Sequence, residues 1–324
     1  MTQRVVFLDR ASIVAKVRRP QGATEYVEHE RSSASEVVAR LQGATVAITN
    51  KVPLRAAVLR QLPELKMIAV AATGYDVVDI DYCNEHGIAV ANIRNYAIHT
   101  VPEHAFAMIL ALRRNLFAYR QDVEQDVWQR SEQFCFFGHD IIDLHGSQLG
   151  IIGEGAIGRA MAAVGQAFGM RAVFADHPLR VGDDLEYLPM QRLVAESDIL
   201  TLHCPLTAAT RNLIGETELR SMKRSSILIN TARGGLVDEQ ALIRALDEGW
   251  IAGAGFDVLT TEPPRDGHPL LGVRRTNFIL TPHIAWASFG AMQVLADQLI
   301  DNIDAWARGT PQHLVSNAPG RASG

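Results

Sequence analysis

Short apolar runs rich in Val, Ile, Leu and Ala alternate along nearly the whole chain with segments whose apolar residues recur at helical spacing. The runs predict strands at Val5–Leu8, Thr45–Thr49, Met67–Ala71, Ile88–Ile93, Leu149–Ile152, Ala172–Ala175, Ile199–His203, Ser226–Asn230, Ile251–Phe256 and Phe278–Thr281. Their apolar character is continuous rather than alternating. That suits strands covered on both faces, and hence parallel sheets with helices on either side. Repeated βαβ units of this kind make the chain α/β and doubly wound.

Three helices frame the strands. Thr100-Val-Pro-Glu103 reads as a capping box, with proline in the first turn where its missing N–H costs nothing. Ala105, Met108, Ile109 and Leu112 follow at helical spacing, and the helix is expected to run on into polar Tyr119–Glu124. A second helix opens at Asp238 and closes at Gly249, a left-handed C-terminal glycine. A third carries Met292, Leu295, Leu299, Ile303 and Trp306 on one face. The small, polar tail after Pro311 is expected to fray.

The 324 residues suggest two domains, and 48% hydrophobic content excludes a disordered chain. A net charge of −5 gives no basic footprint for nucleic acid. No apolar stretch is long enough to span a bilayer, and Asp9 interrupts the first apolar run too early for a signal peptide. Cys83, Cys135 and Cys204 are widely spaced and odd in number, which argues against disulfides and a zinc site and for a reducing cytoplasm.

Gly153-Glu-Gly155-Ala156-Ile157-Gly158 follows an apolar strand and enters a helical pattern, and Asp176 closes the next apolar run. In that context the glycines form a Rossmann dinucleotide motif. Gly153 would permit the tight turn, Gly155 the approach of backbone to pyrophosphate, and Gly158 close packing of helix on strand. The helix N-terminus, at Ala156 and Ile157, would offer N–H groups and its positive end to the phosphates. A carboxylate at Asp176 suits free ribose hydroxyls and repels a 2′-phosphate, which favours NAD over NADP. His177 and Arg180 stand close to it in sequence. Because four predicted strands precede the motif, the nucleotide domain must be inserted in, or appended to, another α/β domain.

Three later segments place polar residues at strand ends, where open parallel sheets build their sites. They are Asn230-Thr-Ala-Arg233-Gly234-Gly235, Asp257 through Glu262-Pro-Pro, and Thr281-Pro-His283-Ile-Ala-Trp-Ala-Ser288. Arg, Glu and His suit reversible hydride transfer to a 2-keto acid. A guanidinium fork binds the carboxylate, and a histidine donates the proton as charge builds on the carbonyl oxygen. A carboxylate on the imidazole favours its charged form. Gly234-Gly235 would let backbone approach a ligand.

With Ala72-Thr-Gly-Tyr-Asp-Val-Val-Asp79, Val101-Pro-Glu-His104 and Leu202-His-Cys-Pro-Leu-Thr207, these segments make the chain resemble the D-isomer-specific 2-hydroxyacid dehydrogenase family over essentially its full length. Within the family, Thr49-Asn-Lys-Val-Pro53 and Thr281–Ser288 carry a closer likeness to the bacterial glycerate dehydrogenase, or hydroxypyruvate reductase, branch. The resemblance implies a Rossmann NAD-binding domain of residues 99–287, inserted into a flavodoxin-like substrate domain of residues 1–98 and 288–324. It implies a homodimer whose substrate is hydroxypyruvate/D-glycerate or glyoxylate/glycolate.

Residue by residue, it implies that Arg233 binds substrate, that Glu262 holds His283, and that His283 moves the proton. It places Asp257 at the nicotinamide carboxamide, Thr231 and Ala232 in the same pocket, and Pro205 and Thr210 along the adenosine side. The Thr73-Gly74 backbone and Tyr96 would face substrate. An NAD-sensing corepressor-like binding protein and a phosphite-type dehydrogenase are the competing readings, whereas formate-oxidising relatives carry glutamine in place of Glu262. His99 and His104 read as capping and packing residues, not metal ligands, and Cys204 as lining the nucleotide cleft. Trp128 and Phe134–Phe137 read as core or as a dimer contact.

Overall fold

The computed structural model describes residues 3–177 and 185–317, and within them the chain divides into two compact units. One comprises residues 1–96 with 287–324, the other residues 97–286.

The first unit holds strands β1 (Arg4–Phe7), β2 (Glu25–Glu28), β3 (Val46–Thr49), β4 (Met67–Val70) and β5 (Ala89–Ala91). All are parallel, in the flavodoxin-like order β2-β1-β3-β4-β5. β3, β4 and β5 are buried along their whole length, as their continuous apolar runs require. β2 was not legible as a strand. Its sequence Glu-Tyr-Val-Glu is that of a sheet edge, with charges at both ends and no buried residue. The helix Phe289–Ala307 begins where the Ser288 hydroxyl accepts the amide of Ala291, and packs on β4.

The expectation of a frayed tail fails as far as Asn317. Val315 donates its amide to Val90, the Ser316 hydroxyl accepts from the Val90 amide, and Asn92 donates to the His313 carbonyl. Residues 313–316 thereby cover the open edge of β5, which would otherwise leave backbone groups unpaired.

The second unit holds β6 (Gln148–Ile152), β7 (Arg171–Ala175), β8 (Tyr187–Leu188), β9 (Ile199–Leu202), β10 (Ile227–Asn230), β11 (Gly253–Phe256) and β12 (Phe278–Leu280). The parallel order β12-β11-β10-β9-β6-β7-β8 reverses direction at the β6/β9 junction, as a Rossmann sheet does. Side chains alternate between two cores. Ile227 and Ile229 join Ala105, Met108 and Ile109 of one covering helix, while Leu228 joins Leu242 and Leu246 of another.

That first covering helix spans Thr100–Arg113, and its details differ from expectation. The residue before it is His99, without a side-chain cap, and Thr100 instead donates its hydroxyl to the Ala285 carbonyl at 3.2 Å. The helix does not run on. Asn115 takes a left-handed backbone (φ +49°), and a separate helix, Leu116–Glu124, follows. The helix Glu239–Asp247 starts and stops as its sequence indicates, with Asp238 accepting the amides of Gln240 and Ala241 and Gly249 at φ +67°. Among the described residues, no helix is long and apolar enough to cross a membrane.

Candidate active site

The glycine motif occupies the turn between β6 and the helix Ala156–Ala167. Gly153 sits at φ +111°, and a Cβ there would lie 2.5 Å from the His203 carbonyl, so only glycine lets the turn press against the end of β9. A Cβ on Gly158 would lie 2.0 Å from the Gly153 carbonyl oxygen, the close helix–strand approach that the motif requires. Gly155 faces open space and leaves the helix N-terminus without a side-chain cap, so the amides of the first turn remain for an anion. Glu154 pairs with Arg159, which offsets its negative charge beside that N-terminus.

Asp176 is exposed directly after β7, its amide held by the Leu188 carbonyl. Arg180 lies outside the described residues. After β9, His203 bonds to the Thr201 hydroxyl at 2.8 Å, and burial pulls the imidazole pKa down to about 3. Burial also pushes the Cys204 thiol up, away from thiolate chemistry. Thr210 closes the following loop by donating its hydroxyl to the Pro205 carbonyl at 2.7 Å while accepting the Thr207 amide.

At the end of β10, Asn230 shapes the turn that carries Arg233. Its side chain donates to the Arg233 carbonyl and accepts the Ala232 amide. Thr231 is buried, and its hydroxyl has no hydrogen-bond partner among the described residues, an orphaned polar atom at a strand end. Gly234 has a packing role. A Cβ on Gly234 would lie 1.9 Å from the Leu259 carbonyl oxygen, so this glycine admits the loop after β11.

That loop brings Glu262 to His283. Glu262 Oε1 accepts the Leu259 amide at 2.8 Å, and Oε2 meets His283 Nδ1 at 2.5 Å. Both side chains keep some exposure, 32% for Glu262 and 24% for His283. With Nδ1 engaged, Nε2 is the nitrogen left for chemistry. Thr260 and Glu239 hold the loop from behind, with the Thr260 amide and hydroxyl both donating to the Glu239 carboxylate, which also contacts His268 at 2.9 Å.

Asp257 is 1% exposed, and its carboxylate accepts from the Thr281 hydroxyl at 2.5 Å, the Ile284 amide at 2.9 Å and the Ala285 amide at 2.8 Å. Its side chain therefore ties down the loop around His283. His104, read from sequence as a packing residue, bonds to Thr281 at 3.0 Å. Glu239, Thr260, His268 and Thr281 were not singled out either. Their partners lie up to 177 residues away along the chain, and no local spacing marks such contacts.

In the first unit, the Thr73 hydroxyl donates to the Ile93 carbonyl at 2.7 Å, and the Asn92 amide holds the Thr73 carbonyl. Thr73 and Gly74 form an exposed to half-buried bend beyond β4, and Tyr96 is half-buried. Asp9, after β1, is buried and accepts the amides of Asn50 and Lys51, fixing the turn beyond β3.

A family model for the NAD-binding domain of D-isomer specific 2-hydroxyacid dehydrogenases matches residues 106–285. The chain belongs to this family. A glycerate dehydrogenase of Methylorubrum extorquens is 52% identical over 97% of this chain and 99% of its own length. A hydroxypyruvate reductase of Blautia hydrogenotrophica is 35% identical over 90% of this chain and 92% of its own. Among solved structures, an NADPH-dependent glyoxylate/hydroxypyruvate reductase of Sinorhizobium meliloti, in complex with NADP and malonate, superposes with a TM-score of 0.84 at 29% identity over the whole of both chains. A D-lactate dehydrogenase of Aquifex aeolicus, complexed with NAD and lactic acid, gives 0.80 at 29% identity over 95% of this chain and 96% of its own. The D-2-hydroxyacid dehydrogenase described here is thus an NAD(P)-dependent oxidoreductase whose β6–helix turn and orphaned Thr231 hydroxyl fit a dinucleotide.

Proposed function

We propose that the protein is an NADH-linked reductase of small 2-keto acids, with hydroxypyruvate foremost and glyoxylate next, working reversibly on the D-2-hydroxy acid. The observation that carries this reading is the Glu262–His283 contact at a strand-end site in the same unit as Arg233. Identity of 52% to a glycerate dehydrogenase supports the choice of substrate.

NADH, when bound, supplies the hydride that reaches the carbonyl carbon. The amides at the start of the helix Ala156–Ala167 would hold the pyrophosphate, Gly155 leaving room for it while Gly153 and Gly158 let the turn and helix pack closely. Thr231 and Ala232 line the nicotinamide end, and Pro205 and Thr210 the adenosine side. Asp176 accepts from the ribose hydroxyls and gives NADH its preference over NADPH. Arg233 grips the substrate carboxylate and orients the carbonyl. As negative charge develops on oxygen, His283 Nε2 delivers a proton to it, and Glu262 at Nδ1 fixes the ring and stabilises its charged form. In oxidation the same nitrogen takes the proton back.

In this reading the unit of residues 1–96 and 287–324 is the substrate domain. Thr73 and Gly74 turn backbone amides towards the substrate carboxylate, and Tyr96 reaches substrate with its hydroxyl. The exposed Leu116, Phe117, Trp128, Phe134 and Phe137 supply an apolar surface for a homodimer. The three free cysteines suit a reducing cytoplasm.

The test is a set of initial rates with NADH and NADPH against hydroxypyruvate, glyoxylate, pyruvate and phosphohydroxypyruvate. Hydroxypyruvate with NADH is expected to give the highest kcat/KM. Higher kcat/KM with NADPH would overturn the role of Asp176.

A further inference from the structure

The Thr281 hydroxyl has a single hydrogen and three polar neighbours. It lies 2.5 Å from Asp257 Oδ1, 3.0 Å from His104 Nε2 and, much more weakly, 3.5 Å from the Phe256 carbonyl oxygen. A carboxylate can only accept, so the hydrogen of Thr281 goes to Asp257. His104 must then carry its proton on Nε2 and donate it to Thr281. The result is a directed chain, His104 N–H to Thr281 O–H to Asp257, and each bond polarises the next. Asp257 itself stands 3.8 Å from His104 Nε2, so the imidazole reaches it through the threonine.

The far end of this chain is the backbone on either side of His283. Asp257 accepts the amides of Ile284 and Ala285, while His283 sits at φ +57°, a region that a residue with a Cβ enters only when its surroundings hold it there. Thr100 stands one turn before His104 on the same helix and donates to the Ala285 carbonyl. One face of the helix Thr100–Arg113 thus grips the segment from Thr281 to Ala285 at two points.

We propose that His104 is a positioning residue for His283, acting through Thr281 and Asp257 to hold the proton-donating ring in its left-handed loop. This rests on the assignment of His283 as proton donor made above. The donor on Nε2 is the property that matters. A side chain that keeps an N–H at that place should serve, and one that only fills the space should not.

The experiment compares His104→Leu and His104→Gln with wild type. It measures kcat and KM for hydroxypyruvate, NADH binding by fluorescence, and Tm on each preparation. The Leu variant is expected to lose about 30- to 100-fold in kcat, the effect of a slightly misplaced catalytic group, with NADH affinity unchanged. The Gln variant should stay within about threefold of wild type, since its amide replaces the donor. Equal kcat in the Leu and Gln variants would overturn the proposal, as would a loss that follows NADH binding. Should the Leu variant not fold, His104→Ala assayed with added imidazole takes its place. Recovery of kcat supports the proposal, and no recovery in a folded variant overturns it. Absence of turnover in wild type would instead indict the functional assignment.

Discussion

Glu262 Oε2 meets His283 Nδ1 at 2.5 Å, so one nitrogen of the imidazole is committed to a carboxylate and Nε2 is the one left for the proposed proton transfer. A Glu262→Gln variant keeps the size of the side chain and loses its charge. Turnover of hydroxypyruvate is expected to fall about 100-fold, within the range by which general acids contribute, while NADH binding stays unchanged. Steady-state kinetics and fluorescence titration on the same preparation check both halves.

Arg233 is half-buried at the end of β10, in a turn that Asn230 shapes. Arg233→Lys keeps the charge and loses the planar fork. The expected loss in kcat/KM for hydroxypyruvate is about 10- to 100-fold, the worth of a charge-assisted hydrogen bond, with most of it in KM. An unchanged KM would place the substrate carboxylate elsewhere.

Gly153 combines a positive φ with contact against the backbone of His203 and Cys204. Gly153→Ala adds backbone strain to overpacking and should destabilise the protein by about 3 kcal/mol, with NADH affinity lost alongside. The denaturant midpoint and NADH titration measure the two effects.

Much of this architecture was legible because it depends on local pattern. The buried strands β6, β9 and β10 carry continuous apolar runs, and the glycine turn is written in consecutive residues. The edge strands β2 and β8 were not legible, since an edge needs no apolar run and Tyr187–Leu188 is too short to show one. At the site, Arg233, Glu262 and His283 stood out by chemistry and position at strand ends. The partners of Asp257 did not. Its three bonds come from residues about 25 positions further along, and no local spacing marks such long-range contacts. The role of Gly234 was hidden for the same reason, because the backbone it admits is that of Leu259.

His203 gives the fold a dependence on pH. Burial lowers its pKa from 6.5 to about 3, so below pH 6.5 the unfolded chain takes up a proton that the folded chain refuses. The contribution of this residue is therefore complete above pH 6.5 and is lost as pH falls towards 3. Chemical denaturation across that window should show a shallower acid loss for His203→Gln than for wild type, once the variant's own offset at pH 7.5 is subtracted.

The central claim is that His283 delivers the proton while bound NADH gives the hydride. It is tested most directly by comparing wild type with His283→Ala in hydroxypyruvate reduction at saturating NADH, with NADH affinity measured on the same samples. Wild type should turn over, and the variant should lose about 1000-fold in kcat, with affinity for NADH kept. Tight NADH binding without reduction of any keto acid by wild type, or equal turnover by the two proteins, would contradict it.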